Sequence, residues 1–307
     1  MDADPLFPPA EPYRTGHLEV SGGHRIYFEE CGRADGVPVL FLHGGPGSGC
    51  NAAQRRLFDP RRYRAVLTDQ RGCGRSLPLG GLDDNTTGRL VADLEALRGA
   101  LGIPAWIVFG GSWGSALALA YAQAHPRSVR ALLLRGIFLA SREEVAAYLE
   151  SGVPAARDRL EAAAGAGEGG LLAALAARVP TADEAARAWL DYERAFMDEP
   201  PIDGPLTPAQ RAKARIQLHY LARDCFIEAG SLLAGVDRIR HVPAAIVQGL
   251  ADPVCPPQHA ERLRRAWPEA RWLPVPGGAH GGLTPPIAAA CMAALGALAD
   301  EVAGQNP

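Results

Sequence analysis

Between Trp106 and Ala122 the chain reads WIVFGGSWGSALALAYA, and no other stretch limits its possible folds so tightly. Four apolar residues suited to a buried strand run into Gly110-Gly111-Ser112-Trp113-Gly114, and an apolar, helix-forming run follows at once. A glycine two residues before the serine and another two after it let a strand and a helix pass closely at a sharp turn. The serine hydroxyl then stands exposed above a sheet. This is the pattern of a nucleophile elbow. A glycine-rich turn carrying an inert serine is the other reading of the pentapeptide alone, and the remainder of the chain weighs against it.

The flanking pattern alternates strand and helix. GHLEV and RIYFEECG form an expected antiparallel pair around Ser21-Gly22-Gly23, and VPVLFLHGG and YRAVLTDQRG are continuous apolar runs of the kind buried on both faces of a sheet. A short helix fits between those two. TTGRLVADLEALRGALG places Leu90, Leu94, Leu97 and Leu101 at helical spacing, with Gly102 as its stop. The elbow strand and helix come next, then ALLLRGIF at 131–138. Residues 141–235 hold helical stretches and no convincing strand. Strand logic resumes at VPAAIVQGLAD, a helix fits HAERLRRAW, RWLPVPGGAHG follows, and PPIAAACMAALGALADEVA closes the chain as a helix.

The expected architecture is therefore α/β: a mostly parallel, doubly wound sheet of the α/β-hydrolase fold with an inserted all-helical cap. Residues 1–140 and 236–307 would form the catalytic domain. Residues 141–235 would form a substrate-selecting cap, inserted after a sixth strand read as parallel and lying over the strand ends where the site of an open sheet is found. Only 163–170 (AAGAGEGG) reads as a flexible loop.

Composition narrows the function. The 307 residues are 48% hydrophobic and 21% charged, enough to bury a large core. A net charge of −3 leaves no electrostatic footprint for nucleic acid or an anionic membrane. The start, MDADPLFPPAEPYR, lacks the basic and apolar regions of a secretory signal, and no apolar stretch is read as long enough to span a bilayer. Cys31, Cys50, Cys73, Cys225, Cys255 and Cys291 are scattered without a C-x-x-C pair. Free thiols, and hence a cytoplasmic location, fit better than disulfides or a zinc site.

A serine nucleophile needs a base and an acid that orients the base, in the chain order Ser, Asp or Glu, His. Asp252 closes AAIVQGLAD and His280 closes WLPVPGGAH, both at strand exits on the edge that carries Ser112. The rival histidines fit less well. His241 lies at the wrong edge, His259 and His125 suit solvated helix ends, and His17 and His24 lie in the opening hairpin. Asp69 precedes RGCGRS and reads as a loop anchor. The oxyanion calls for two backbone N–H groups, assigned to Trp113 and to Gly45 in His43-Gly44-Gly45-Pro46-Gly47; His43 reads as structural. Cys73 and Cys255 flank the expected site, where alkylation could block it.

HGGPG, DQRGCGRS (69–76), DNTT (84–87), GGSWGSALALAYAQAHP (110–126), LRGIF (134–138) and VDRIRHVPAAIVQG (236–249) together resemble the prolyl aminopeptidase, or proline iminopeptidase, family. The resemblance runs from about Pro12 to His280. It implies a serine peptidase that removes an N-terminal proline from peptides through an acyl-enzyme, with no cofactor and no metal, and with Ser112, Asp252 and His280 as triad. A buried substrate amine calls for a carboxylate, and the family supplies two cap glutamates, in W-x-x-W-E and A-R-I-E-x-H-Y motifs. The chain reads Trp189-Leu190-Asp191-Tyr192-Glu193 and Ala214-Arg215-Ile216-Gln217-Leu218-His219-Tyr220.

Glu193 therefore keeps the first glutamate and Tyr192 replaces a tryptophan. Gln217 replaces the second glutamate, keeping an oxygen acceptor without the charge. Gly88 stands where a tryptophan is usual, and Gly281-Gly282 where Ser-Ala is usual. Substrate-binding residues are expected to be Glu193, Gln217, Gly44 and Tyr192, with Trp189, Phe196, Tyr220 and Phe226 as cap core or as walls of an apolar slot. Partners are expected to be a small peptide or small-molecule substrate, with no nucleic acid and no membrane. The alternative is an esterase or amidase using the same triad on small neutral substrates. A non-catalytic scaffold is disfavoured by the intact triad, and dehalogenase or epoxide hydrolase chemistry by a serine at the elbow.

Overall fold

The computed structural model describes residues 4–165 and 169–304. In chain order the strands and α-helices are β1 (Arg14–Glu19), β2 (Arg25–Gly32), β3 (Val37–Leu42), α1 (Ala52–Arg55), β4 (Tyr63–Asp69), α2 (Thr87–Ala100), β5 (Trp106–Ser112), α3 (Trp113–Ala124) and β6 (Val129–Ile137). Then come α4 (Arg142–Glu150), α5 (Pro154–Ala164), α6 (Leu171–Arg178), α7 (Asp183–Ala195), α8 (Pro208–Leu221), α9 (Ser231–Ala234), β7 (Ala244–Gly249), α10 (Pro257–Ala266), β8 (Arg271–Val275) and α11 (Pro285–Gly304). The expected loop at 163–170 is entered by the last residues of α5, and its positions 166–168 lie outside the described residues.

One sheet runs in the order β1-β2-β4-β3-β5-β6-β7-β8. β1 pairs antiparallel with β2, and β2 antiparallel with β4; every other pair is parallel. The helical insertion thus follows the sixth strand, and the first two strands are antiparallel as expected, because a three-residue turn at Ser21–Gly23 can only fold the chain back on itself. Side-chain alternation along the buried strands divides the core into two layers. Leu40, Leu42, Val66, Val108, Leu132, Leu134 and Ile246 pack against α2, α3 and α10. Val39, Phe41, Leu67, Ile107, Phe109, Leu133 and Val247 pack against α11.

By length and composition α11 could cross a membrane, contrary to the expectation from the apolar runs. Here it lies on the sheet, with Ile287, Cys291, Leu295, Leu298 and Val302 buried in the second layer.

Between β6 and β7 the described residues form helices and turns with no strand. α5, α6, α7 and α8 enclose their own core, built from Leu160, Leu175, Trp189, Leu190, Tyr192 and Leu218. α8 also reaches the body: Ile216 and Tyr220 join the first sheet layer. The Tyr220 ring stands edge-on to Trp113 at 5.1 Å, and its hydroxyl donates to Asn85 Oδ1 at 2.8 Å. This docking holds Lys213 and Gln217 over the elbow.

Candidate active site

The elbow has the conformation its glycines imply. Ser112 ends β5 at φ 57°, ψ −128°, a region a non-glycine residue occupies only when its surroundings hold it there. A Cβ on Gly110 would collide with the Gly114 carbonyl, and one on Gly114 with the Leu42 carbonyl of β3. Both glycines are therefore demanded by backbone contact.

The structure brings Ser112, His280 and Asp252 together. His280 Nε2 lies 3.2 Å from Ser112 Oγ, and His280 Nδ1 lies 2.8 Å from Asp252 Oδ2 and 3.0 Å from Oδ1. Asp252 lies in the loop three residues past β7, and His280 five past β8, so neither closes its strand; the loops still leave from the expected edge. Asp252 is buried, and its Oδ1 accepts from the backbone N–H of Val254 and Cys255 at 2.9 and 2.8 Å. With Asp252 ionised, Nδ1 of His280 carries the proton donated to it, which leaves Nε2 free to accept from the serine hydroxyl. Arg135, within LRGIF, carries no mark of its role in the sequence. Its Nη1 donates to the His280 carbonyl at 2.6 Å. A Cβ on Gly282 would stand 3.3 Å from the same guanidinium, so the glycine two residues past the histidine leaves room for this brace.

His43 is buried and structural, as expected. Its Nε2 accepts from the Gln70 N–H at 3.1 Å, so Nδ1 donates to the Gly44 carbonyl at 2.8 Å. Burial lowers its pKa and keeps the ring neutral. The Gly44–Gly45 peptide is trans, so fixing that carbonyl toward the buried ring turns the Gly45 N–H the opposite way. A Cβ on Gly44 would come within 3.3 Å of Ser112 Cβ. Asp69 is the expected anchor: its carboxylate accepts from the backbone N–H of Cys50 and Arg75 and pairs with the Arg75 guanidinium at 2.8 Å.

A cleft of about 340 Å³ opens above Ser112 and is lined by Gly44, Gly45, Trp113, Glu193 and Gln217 among the residues expected there. Phe138, Tyr148, Val254 and Trp189 supply apolar wall.

Several expectations are corrected. Tyr192 does not line the cleft; it is buried in the helical core with its hydroxyl against the Tyr148 and Leu149 carbonyls at 2.8 and 2.9 Å. Trp189 and Glu193, four residues apart on α7, share the cleft face, and Tyr192 points toward α4. Gln217 is 1% exposed and engaged within the protein: its Oε1 accepts from Trp189 Nε1 at 3.1 Å and its Nε2 donates to Glu193 Oε1 at 2.6 Å. Cys73 is buried away from the cleft, whereas Cys255 lines it; burial pushes both thiols far above their ordinary pKa. Gly88 faces open space.

His259 is no solvated helix-end residue. It lines the cleft, and its Nδ1 lies 3.6 Å from Oε1 of the buried Glu144. Burial lowers the pKa of His259 and raises that of Glu144 to about 7, against two backbone donors at Leu139 and Ser141. Glu144 hides in sequence because it also completes the N-terminal cap of α4 with Ser141.

A strand–turn–helix serine served by a loop histidine and a buried aspartate defines a serine hydrolase of the α/β-hydrolase class, and the alpha/beta hydrolase fold family model matches residues 37–284. The haloalkane dehalogenase from Bradyrhizobium elkanii superposes with a TM-score of 0.65 at 20% identity, covering 97% of this chain and all (100%) of that one, a likeness of fold alone. Two curated relatives are far more similar in sequence. A proline iminopeptidase of Xylella fastidiosa (strain Temecula1) is 46% identical over 91% of this chain and 95% of its own length. One of Arabidopsis thaliana is 44% identical over 92% and 79%. The chain belongs to the proline iminopeptidase family of α/β-hydrolases.

Proposed function

We propose that this protein is a serine aminopeptidase that releases an N-terminal proline from peptides. The observation that carries the reading is the Ser112–His280–Asp252 constellation, set in a cleft that also holds the Glu193 carboxylate, in a chain this similar to proline iminopeptidases. Ser112 Oγ attacks the carbonyl of the first residue while His280 Nε2 takes its proton. Asp252 holds the imidazole and stabilises its positive charge, and Arg135 braces the loop from behind. The N–H groups of Trp113 and Gly45 receive the oxyanion. His280 then protonates the departing amine, and water hydrolyses the prolyl ester by the same route reversed.

The helices of 141–235 act as a substrate-selecting cap on a catalytic domain made of 1–140 and 236–307. Glu193 faces the α-amine, and Phe138, Tyr148 and Trp189 supply an apolar slot for the pyrrolidine ring. The partner is a small peptide and the location cytoplasmic. Incubation with a proline-led tripeptide should release free proline, and Ser112→Ala should reduce that release by about 10³-fold or more. Undiminished release by the alanine variant would reject the mechanism.

A further inference from the structure

Glu193 is not an open carboxylate. Gln217 Nε2 donates to its Oε1 at 2.6 Å, and Lys213 Nζ lies 3.1 Å from its Oε2. Lys213 and Gln217 are one turn apart on α8, which packs on α7, so both oxygens are met from a single helix. The neighbouring cation Arg194 is paired with Glu199 at 2.9 Å, and Arg135 is turned to the His280 carbonyl. The negative charge offered to an incoming amine is thus compensated from within the protein. Both side chains line the cleft and are part-exposed, at 33% for Lys213 and 23% for Glu193, but Glu193 Oε2 itself is buried, so an amine reaches it only as the lysine head withdraws.

We infer that Lys213 is a specificity-determining residue whose ammonium occupies, in the free protein, the carboxylate that a substrate's α-ammonium must take. Substrate binding is then an exchange of one cation for another. The α-ammonium moves onto Glu193 Oε2 and the lysine head, on its flexible four-carbon stem, moves out to water. No bond is made or broken in the exchange, so the effect falls on binding. The chain accordingly discriminates less sharply in favour of a free amine than it would with an unoccupied Glu193. This inference rests on the aminopeptidase reading.

The test compares wild type, Lys213→Met and Lys213→Arg on proline p-nitroanilide and its N-acetyl form, with active enzyme counted by fluorophosphonate labelling of Ser112. Removing the internal cation should lower KM for the free-amine substrate about fivefold, the upper end of what a partly exposed ion pair contributes. It should also raise the preference for the free amine over the acetylated form by the same factor, and Lys213→Arg should restore wild-type values. An unchanged or higher KM in Lys213→Met, from a wild type that prefers the free amine, overturns the inference and leaves the aminopeptidase reading intact. Absence of any free-amine preference in all three proteins overturns both.

Discussion

Asp252 acts by fixing a proton on one nitrogen of one ring. Its Oδ1 is held by two backbone N–H groups, so the carboxylate meets Nδ1 of His280 in a set geometry. Asp252→Asn keeps the shape but can present an amide N–H to that nitrogen, which moves the proton to Nε2 and leaves Ser112 without a base. The expected loss in kcat is about 10⁴-fold with little change in melting temperature, measured by steady-state kinetics and calorimetry. A loss below tenfold would contradict this role. These three residues were legible in the chain because Ser112 ends its strand, Asp252 and His280 lie in the loops that leave the same sheet edge, and their order is that of the fold. The partners of Glu193 were not, since a lysine four residues before a glutamine on one helix says nothing of what faces it. Only the packing of α8 on α7 shows that Gln217 is spent on Trp189 and Glu193.

Among the elements, the β5–α3 turn is tightly built, because α3 passes so close to β3 that a Cβ on Gly114 would collide with the Leu42 carbonyl. Gly114→Ala would force the helix away from the sheet and move Ser112 with it. The overpacking is expected to cost ~3 kcal/mol, read as a lower urea midpoint at unchanged m-value, together with loss of hydrolysis. Equal stability and activity would show that the helix has slack. The strands were readable because their apolar runs alternate onto two covered faces, and the helices because their leucines recur every three or four residues. The edge pair was readable too, because the short Ser21–Gly23 turn returns the chain on itself and makes β1 and β2 antiparallel. Tyr192 was not, because its helix face is set by where α4 lies.

Across the whole molecule, Glu144 and His259 join the first inserted helix to α10 of the body at the cleft wall. Glu144 is buried and His259 half-buried, with Arg262 at 4.0 Å and the neighbouring Glu143 as the other charges acting on Glu144. The Glu144 carboxyl titrates near 7 when folded, against its ordinary 4.5. Between those values the folded protein holds a proton that the unfolded chain gives up, so this group's contribution to stability falls as pH rises and the full penalty is present above pH 7. His259, whose pKa is lowered, has the opposite slope below pH 6.5. Comparison with Glu144→Gln, which keeps the cap on α4, isolates the carboxyl. The variant's stability relative to wild type should rise by on the order of 3 kcal/mol between pH 4.5 and 8, measured by denaturant unfolding. A constant difference across that range would mean that Glu144 is not destabilised by burial.

Proline release requires that the triad act on a substrate held by its α-amine, and the decisive comparison is kcat/KM of the wild-type protein for proline p-nitroanilide against N-acetylproline p-nitroanilide. The free-amine substrate should be preferred by roughly 10- to 100-fold, the range expected for a charge-assisted contact to Glu193 that the acetyl group abolishes. Equal rates, or preference for the acetylated form, would contradict amine recognition by Glu193 and leave a hydrolase with the same triad and a different substrate.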